Sequence, residues 1–566
     1  MRILDEFKHE PRIAYFSMEI ALENSIPTYA GGLGVLAGDT LRSAADLEVP
    51  LVAVTLASRG GYFRQVLDES GRQIEQEDSW DPQRFTERLG AIVSVEIENR
   101  WVWVGAWCYI VKGHMNGAQP VILLDTDLDQ NNPEDRNITR YLYGGDEAYR
   151  LKQEIVLGIG GVRMLEALGF QLRKFHMNEG HSALLGVELL RRHAYPREDL
   201  RPGESPYNFP RVRDLCSFTT HTPVEAGHDR FPYDMVGRIL GNVIDYETLK
   251  RLGGEDVLNM TRLALNLSEF VNGVAMRHAE VSRQMFPGYR INAITNGVHP
   301  FTWACRHFRA LYDAHLPGWC HEPALLRRAH CYISDEAVVQ AHRNAKRELV
   351  ERVRMQTGVE LREDVFTLGY ARRMTAYKRP DLLFSDIERL RAISKRFPVQ
   401  IVLSGKAHPR DEPGKQLIQR LHAHARELAA DVTMAYLPNY DLDTALAMVS
   451  GVDVWLNTPL RPLEASGTSG MKAAFNGVPQ FSTLDGWWLE GWIEGVTGWA
   501  IGGDGEQANG KDLQSLYEKL ENVILPLFYE NRSGWIAVMK GAITMNASYF
   551  DSHRMMRRYT TETYLR

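Results

Sequence analysis

Residues 463–472, with the sequence LEASGTSGMK, combine the residue types that bind an anion where a strand ends and a helix begins. Small residues let backbone N–H groups approach the anion, and the helix N-terminus adds its positive end. The hydroxyl groups of Ser466, Thr468 and Ser469 can donate to the same oxygens. An ordinary helix cap explains one or two of these residues, but five small residues in a row favour ligand binding.

Lys472 closes this segment, in the first predicted helical turn and among apolar neighbours such as Met471 and Phe475. Burial disfavours the ammonium form, so it lowers the pKa of a lysine and frees the amine to bond to a carbonyl carbon. A lysine at such a position is, taken alone, more often a surface residue with its charge in water. The anion-binding pattern before it favours the reactive interpretation.

A second segment, RRMTAYKRP at residues 372–380, places four cations just after a predicted strand. Arginine can bind two oxygens of a phosphate group at once, so the segment predicts a phosphate clamp. A solvated basic face is the usual explanation of a charge run. The position at a strand end, like that of the 463–472 segment, favours anion binding.

Four further segments carry polar or glycine-rich strand ends. A glycine-rich turn at residues 29–39 (YAGGLGVLAGD) opens a helix, although close packing alone would justify its glycines. The other three end in histidine-containing loops, in which a single histidine is typically a structural hydrogen-bonding residue. Together they supply neutral donors and acceptors for a polyhydroxyl ligand: residues 176–181 (HMNEGH), 219–223 (TTHTP) and 295–300 (TNGVHP).

The elements that must position these segments alternate between strands and helices. Such alternation predicts an α/β fold with parallel sheets, whose ligand lies beyond the carboxyl ends of the strands. In the second half the predicted strands are residues 365–370, 399–405, 432–437, 452–457 and 479–484. In the first half they are residues 12–18, 50–58, 92–97 and 101–111, together with the runs 172–180, 215–223 and 290–300, each a strand that leads into a loop. The predicted helices include 33–47, 151–168, 335–356 and the tail at 542–566.

The amino-acid composition restricts the class of protein to which the chain can belong. The chain has 566 residues, a net charge of −7 and 44% hydrophobic residues, which indicates a globular protein with no bulk attraction to nucleic acid. No apolar run is long enough to cross a membrane, and the amino-terminal residues lack the apolar core of a secretory signal. Five widely spaced cysteines without a CxxC pair predict reduced thiols in the cytoplasm and no metal site.

Taken together, these segments resemble the α-glucan phosphorylases, the family of glycogen, starch and maltodextrin phosphorylases. EASGTSGMK is similar to the family's pyridoxal phosphate lysine segment, and RRMTAYKR, GGLG, NEGH, THT, VNGVAMRH and ITNGV follow the family's order between residues 12 and 490. The resemblance implies two Rossmann-like domains facing across a cleft, the GT-B architecture. It implies residues 1–300 and 301–545 as domains, with residues 546–566 as a helix packing back on the first.

The resemblance also implies the reaction and its residues. A terminal α-1,4-linked glucose would be transferred from a glucan to inorganic phosphate, giving α-D-glucose 1-phosphate with retention. The residues implied in catalysis are His221, Arg373 and Lys378. Those implied in holding pyridoxal 5'-phosphate are Lys472, which carries it covalently, and Thr468, Ser469, Arg372 and Gly32. Those implied in binding substrate are Asn296, Tyr377, Glu464, Ser466, Gly467 and Leu33. A homodimer is implied by analogy alone.

Three positions depart from the family pattern. Arg372 stands where much of the family has lysine, Asp441 where many members have arginine, and Gly470 where asparagine is usual. Asp441 removes a cation near the expected cofactor. Two alternatives stay open at this point: a nucleotide-sugar glucosyltransferase of the glycogen synthase type, which would not need a carbonyl-reactive Lys472, and a non-catalytic glucan-binding protein.

A tryptophan cluster follows the last predicted strand, at Trp487, Trp488, Trp492 and Trp499. Core packing is the expected role of at least two of them. An indole also covers the apolar face of a sugar ring well, and the strand-end position favours a place near the site. We therefore predict that Trp487 or Trp488 shapes the pocket near the cofactor, with little effect on thermal stability when it is replaced.

Overall fold

Two mainly parallel β-sheets with helices packed against them organise the chain, so the predicted α/β fold class is confirmed. The computed structural model describes residues 2–505 and 510–565. The strands are β1 Arg12–Ser17, β2 Leu51–Leu56, β3 Arg64–Leu67, β4 Gln73–Gln76, β5 Glu87–Arg88, β6 Val93–Ile97, β7 Arg100–Lys112, β8 Ala118–Asp125, β9 Leu172–Asn178, β10 Cys216–Thr219, β11 Arg230–Pro232, β12 Val257–Asn259, β13 Phe270–Gly273, β14 Asn292–Ala293, β15 Phe366–Ala371, β16 Val399–Ser404, β17 Thr433–Leu437, β18 Val454–Asn457, β19 Gln480–Thr483 and β20 Gly498–Ile501.

The α-helices occupy most of the connections between strands. They are α1 Gly32–Asp46, α2 Pro133–Arg136, α3 Glu147–Ile155, α4 Gly161–Ala167, α5 Leu184–Arg192, α6 Phe209–Leu215, α7 Tyr233–Ile239, α8 Tyr246–Gly253, α9 Met260–Asn266, α10 Met276–Met285, α11 Pro300–Trp303, α12 Arg306–His315, α13 Ala329–Tyr332, α14 Asp335–Thr357, α15 Ile387–Arg396, α16 Glu412–Glu427, α17 Leu442–Gly451, α18 Ser469–Ala474, α19 Trp488–Gly491, α20 Asp512–Lys519, α21 Leu525–Glu530, α22 Arg532–Gly541 and α23 Ser552–Tyr559. Among the described residues, no helix is both long and apolar enough to span a membrane.

The first sheet has the order β14-β13-β10-β9-β1-β2-β8-β7-β5, with β6 paired to β7. Its strands run parallel from β14 to β8, and β5, β6 and β7 are antiparallel additions at one edge. The strand β1 is buried along its whole length, as expected where helices cover both faces of a parallel sheet. The polar ends of β9, β10 and β14 therefore open at the same edge.

The second sheet is entirely parallel and has the order β17-β16-β15-β18-β19-β20. Counted from β15, this is the strand order 3-2-1-4-5-6 of a doubly wound α/β unit. The strand order reverses between β15 and β18, and sheets of this kind bind their ligands at that point. The basic segment follows β15 and the glycine-serine segment follows β18, so both lie at this point.

The predicted strands agree with the structure within a few residues, but one predicted helix is interrupted and several strands were not predicted. A π-helical turn, Val156–Gly160, separates α3 from α4 in the predicted helix 151–168. A side chain at Gly158 would overlap α5, because its Cβ would lie 2.7 Å from the backbone nitrogen of Leu185. Eight strands were not predicted from the sequence: β3, β4, β5, β8, β11, β12, β13 and β20. All of them except β8 have four residues or fewer, which are too few to show a period.

The carboxyl-terminal helix α23 and the turn after it contact the first sheet and α1. Ser552 bonds to Ser43 on α1, and the hydroxyl of Tyr564 bonds to Nδ1 of His176 on β9. Buried Asp46 accepts from Nε2 of His299, at 2.9 Å, and from Nε2 of His553 on α23, at 3.2 Å. These contacts tie the last fifteen described residues to the amino-terminal half.

Candidate active site

Glu464 is the centre of the charged site beyond β15 and β18. Its Oε1 accepts from Nη2 of Arg372 at 2.8 Å, and its Oε2 accepts from Nζ of Lys378. Glu464 is only 7% exposed. Burial would raise the pKa of its carboxyl group, but the charges of Arg372 and Lys378 outweigh burial and lower it. The basic segment and the glycine-serine segment are thus joined through one ionised carboxylate.

The four cations of the basic segment have different surroundings. Arg372 and Lys378 share Glu464, and Arg379 turns away to pair with Asp512 at 2.6 Å. Arg379 therefore does not join the predicted clamp. Arg373 is exposed and forms no ion pair with a carboxylate among the residues that the structure describes. It is the cation best placed to bind an incoming anion.

The segment around α18 presents polar groups that the protein leaves unbonded. No side chain caps the start of α18, where Thr468 is the N-cap residue. The buried Oγ of Ser466 has no hydrogen-bond partner in the part of the chain that the structure describes, and Oγ of Ser469 accepts from the indole of Trp455 at 2.9 Å. Gly467 has φ +87°, in the left-handed region that favours glycine. This geometry suits the predicted anion-binding turn.

The structure accounts for Gly470, one of the departures from the family pattern. A Cβ at this position would lie 1.4 Å from Oε1 of Gln480 and 2.9 Å from Cζ2 of Trp487, so a side chain fits there only if Gln480 moves. The same buried Oε1 lacks a hydrogen-bond partner among the described residues. Gln480 thus occupies the space that an asparagine at 470 would take, and it brings an unbonded amide oxygen next to the segment.

Lys472 lies between the second sheet and residues of the first half. It is 7% exposed, and its Nζ lies 3.9 Å from the ring centroid of Trp303. Trp303 donates its indole N–H to buried Asp39 on α1. Burial lowers the pKa of Lys472 to about 8, although the nearby charge of Asp39 opposes this shift. The amine is therefore substantially neutral slightly above neutral pH, as predicted for a reactive lysine.

The glycine-rich turn opens the helix α1 and leaves room in front of it. Added Cβ atoms at Gly31 and Gly32 would meet nothing within 4 Å, and no side chain caps the helix. Glu19 fixes the turn, because its Oε2 accepts from the backbone nitrogens of Ala30 and Gly31. The first-turn N–H groups of Gly32 and Leu33 are thus free of a capping side chain and available to an anion.

The polar strand ends of the first sheet supply uncharged groups. His221 follows β10, and its Nε2 lies 2.7 Å from Oδ1 of Asn178 at the end of β9. Burial lowers the pKa of His221 to about 4, so its imidazole is neutral at physiological pH. Asn296 is 4% exposed, and its Oδ1 has no hydrogen-bond partner within residues 2–505 and 510–565. Tyr377 is half-buried, and the Nζ of Lys378 lies 4.7 Å from its ring centroid.

Several residues at this site were not predicted from the sequence. Asp485 accepts from the backbone nitrogen of Glu464 at 2.8 Å, and burial raises its pKa to about 7. Asn457, the last residue of β18, accepts from Arg372 at 2.7 Å. Both residues lie at the carboxyl ends of strands, where parallel sheets bind their ligands, and this position could have identified them from the sequence. Asp39 ends the glycine-rich segment, but no role was predicted for it or for Trp303, because their contacts join residues far apart in the chain.

Asp441 has a local role at this position. Its carboxylate accepts from the backbone nitrogen of Thr444 at 2.7 Å and caps the helix α17. Aspartate is among the preferred N-cap residues and suits the positive end of a helix. The departure from arginine therefore stabilises α17, and Arg372 and Lys378 remain the buried cations beside the segment.

The tryptophan cluster is mostly core. Trp487, Trp488 and Trp499 are at most 1% exposed, whereas Trp492 is 36% exposed. Trp487 packs edge-on against Phe550 and reaches Gly470, since Cζ2 lies 2.9 Å from where a Cβ would stand. The expected core role is confirmed for three of the four. An influence of Trp487 on the pocket remains a prediction.

Because Trp487 is buried, its replacement cannot leave the thermal stability unchanged, contrary to the expectation from the sequence. We now expect Trp487→Ala to destabilise the protein by about 3–5 kcal/mol, because a large buried ring is lost and a cavity remains. Thermal unfolding followed by circular dichroism measures this, and the exposed Trp492→Ala serves as the control. Equal melting temperatures in the two variants would contradict the core assignment.

The fold and the site together define an α/β protein with a cluster of charged and polar groups at strand ends, beside a buried lysine. A family model described as carbohydrate phosphorylase matches residues 245–492. Maltodextrin phosphorylase of Thermococcus litoralis is 39% identical, over 98% of this chain and 71% of the relative. Glycogen phosphorylase of Mycobacterium tuberculosis is 38% identical, over 98% of this chain and 70% of the relative. Glycogen phosphorylase of Aquifex aeolicus is 36% identical, over 99% of this chain and 87% of the relative. The chain belongs to the carbohydrate phosphorylase family.

Proposed function

We propose that this protein is an α-1,4-glucan phosphorylase. It transfers the terminal glucose of a glucan to inorganic phosphate and releases α-D-glucose 1-phosphate with retained configuration. The observation that carries the proposal is Lys472, a buried amine with a pKa of about 8 beside an anion-binding turn. Family membership favours this interpretation over a nucleotide-sugar glucosyltransferase, which would not need such a lysine.

The residues around Lys472 fit pyridoxal 5'-phosphate. The unbonded oxygens of Ser466 and Gln480 are buried polar groups that a ligand would satisfy. Lys472 would hold the cofactor covalently, and its phosphate would lie against Thr468, Ser469, Arg372 and the N–H of Gly32. When bound, the cofactor supplies a phosphate group that exchanges a proton with the substrate phosphate.

The chain's own residues then bind and orient the substrates. Arg373 would bind the substrate phosphate, and Lys378 would share its charge between that phosphate and Glu464. Two phosphate groups repel each other, so Arg372, Arg373 and Lys378 would supply the positive charge that lets both be held at one site near neutral pH. The substrate phosphate held by these cations would stabilise the positive charge that develops at the reacting sugar carbon.

Neutral groups of the first sheet would bind the glucose hydroxyls. His221 and Asn296 would bind the 6-hydroxyl, and the unbonded Oδ1 of Asn296 is an available acceptor. Tyr377 would bind the 2-hydroxyl. The 3-hydroxyl would be bound by Glu464 and by the backbone of Ser466 and Gly467, and Leu33 would contact the sugar from the glycine-rich turn.

The proposal includes the arrangement of the chain. Residues 1–300 and 301–545 would be two Rossmann-like domains facing across a substrate cleft, and residues 546–566 would pack back on the first. The contacts of α23 with α1 and β9 support this division. The protein would act in the cytoplasm, and a homodimer is expected by analogy with the family.

The activity is tested by incubating the purified protein with maltoheptaose and inorganic phosphate. We expect α-D-glucose 1-phosphate, identified by phosphorus and proton magnetic resonance, and a glucan shortened by one residue. UDP-glucose and ADP-glucose in place of glucose 1-phosphate are the control donors in the synthetic direction. Glucan elongation from either nucleotide sugar, without phosphorolysis, would contradict the proposal.

The lowered pKa of Lys472 predicts a pH dependence of cofactor binding. Only the neutral amine attacks a carbonyl carbon, so Lys472 is unreactive well below pH 8 and reactive above it. We expect the rate at which cofactor-free protein takes up pyridoxal phosphate to rise with pH, with a midpoint near 8. Stopped-flow absorbance measures this rate. A midpoint near the ordinary lysine value of 10.5 would show that burial does not tune the amine.

Arg373 provides a prediction for the substrate phosphate. Arg373→Gln should weaken phosphate binding by about 1.5–3 kcal/mol, as expected for the loss of a charge-assisted bond. The melting temperature should stay unchanged, because Arg373 is exposed and has no carboxylate partner among the described residues. Initial rates at varied phosphate concentration measure the effect, with exposed Arg362→Gln as control. An unaltered KM for phosphate would exclude Arg373 from the phosphate site.

A further inference from the structure

Glu490 reaches from the second sheet to two loops of the first. It belongs to α19, which follows β19, and its carboxylate makes two hydrogen bonds. Oε1 accepts from the backbone nitrogen of Met276 at 2.9 Å, and Oε2 accepts from Oγ1 of Thr295 at 2.7 Å. Both partners are about two hundred residues away in the chain. Neither contact follows from the motifs of the sequence.

The bond to Met276 caps a helix from another part of the fold. Met276 is the first residue of α10, and the N-cap residue Ala275 offers no side-chain acceptor. A carboxylate satisfies an unbonded N–H group there and suits the positive end of the helix. Glu490 thus supplies the capping carboxylate that the residues next to α10 do not provide. The contact needs a hydrogen-bond acceptor at this position and favours a negatively charged one.

The bond to Thr295 acts on the neighbouring residue, Asn296. The backbone of Asn296 is held by two other contacts, because its nitrogen donates to Val274 and its carbonyl accepts from Arg554 at 2.9 Å. Arg554 also donates to the carbonyl of Thr295. Glu490 therefore adds the contact that fixes this loop to the second sheet.

The backbone segment that precedes Glu490 is bonded to the residues around Glu464. Asp485 accepts from the backbone nitrogens of Glu464 and Gly486, and the nitrogen of Trp487 donates to the carbonyl of Ser466. Glu490 follows within five residues, in a short helix beside buried Trp488. The carboxylate is thus rigidly connected to the segment that ends in Lys472.

We propose that Glu490 is a positioning residue that sets Asn296 against Glu464 and Lys472. The inference rests on the proposed function, in which Asn296 binds the glucose 6-hydroxyl. Because the sugar contacts of one sheet and the phosphate contacts of the other must act on one glucose, their relative position decides turnover. Glu490 touches neither substrate and acts through Asn296.

The first test compares two replacements of Glu490. Glu490→Ala should lower kcat/KM for maltoheptaose by roughly 10- to 100-fold, the equivalent of losing a hydrogen bond to a charged group. Glu490→Gln should retain most activity, since an amide can accept from Met276 and donate to Thr295. The control is Glu494→Ala, because Glu494 bonds to Trp492, Ala500 and Lys519 in its own half. It should leave kcat/KM unchanged.

The second test separates positioning from mere stability. If Glu490 acts through Asn296, the double variant Glu490→Ala with Asn296→Ala should be no worse than Asn296→Ala alone. Multiplied losses in the double variant, or a lowered melting temperature with normal kcat/KM, would overturn the inference. Calorimetric affinity for maltoheptaose is measured on the same proteins, and Glu490→Ala should weaken it as Asn296→Ala does. If the wild-type protein shows no phosphorolysis, the proposed function is refuted. The comparison of maltoheptaose affinities still decides the role of Glu490 in that case.

Discussion

Lys472→Ala is expected to yield protein that lacks pyridoxal phosphate and has no measurable phosphorolysis. The physical reason is that the buried amine is the only covalent anchor proposed for the cofactor, and its Nζ lies 3.9 Å from the ring centroid of Trp303. Absorbance of the purified protein, followed by borohydride reduction and mass mapping of the labelled peptide, measures the attachment. The glucose 1-phosphate assay measures the activity.

Two controls belong to this experiment. Lys472→Arg keeps the positive charge but removes the primary amine, so it should be equally inactive. Lys395→Ala changes a lysine that is 68% exposed and should be fully active with bound cofactor. A wild type without bound pyridoxal phosphate that still cleaves glucan, or labelling of another lysine, would refute the assignment of Lys472.

Replacement of Glu464 is expected to damage both folding and activity. Glu464→Ala leaves Arg372 and Lys378 buried without their shared carboxylate, which should destabilise the protein by about 3–5 kcal/mol. Phosphorolysis should be lost as well, because Glu464 is a proposed ligand of the glucose 3-hydroxyl and fixes both cations. Urea unfolding and initial rates measure the two effects.

Glu363 provides the matched control for Glu464. It pairs with Arg347 on the surface, where both side chains are at least 40% exposed. Such exposed pairs contribute about 0–1 kcal/mol, so Glu363→Ala should be almost neutral. Similar losses of stability in the two variants would mean that the buried network around Glu464 has no special role.

The sequence by itself determined the fold class, the parallel second sheet and the segments that carry the site. Buried parallel strands are recognisable as short apolar runs, and ligand-binding loops follow the carboxyl ends of such strands. The predicted positions of the basic segment, of the glycine-serine segment and of Lys472 all depend on local patterns of this kind. The family resemblance, confirmed by the comparisons, assigned them to a phosphorylase.

Only the tertiary structure decided how these segments combine. It joined Arg372 and Lys378 through Glu464, turned Arg379 toward Asp512 and left Arg373 without an ion pair among the described residues. Charge runs do not reveal partners, because an ion pair depends on distances across a sheet and not on spacing along the chain.

The same limit applies to other contacts between residues far apart in the chain. Trp303 against Lys472, and Glu490 against Met276 and Thr295, join residues that lie between about 170 and 215 positions apart. Local periodicity and turn chemistry act over a few residues, whereas these contacts depend on how two separately formed sheets pack together. The lowered pKa of Lys472 is likewise a property of that packing, since it comes from burial.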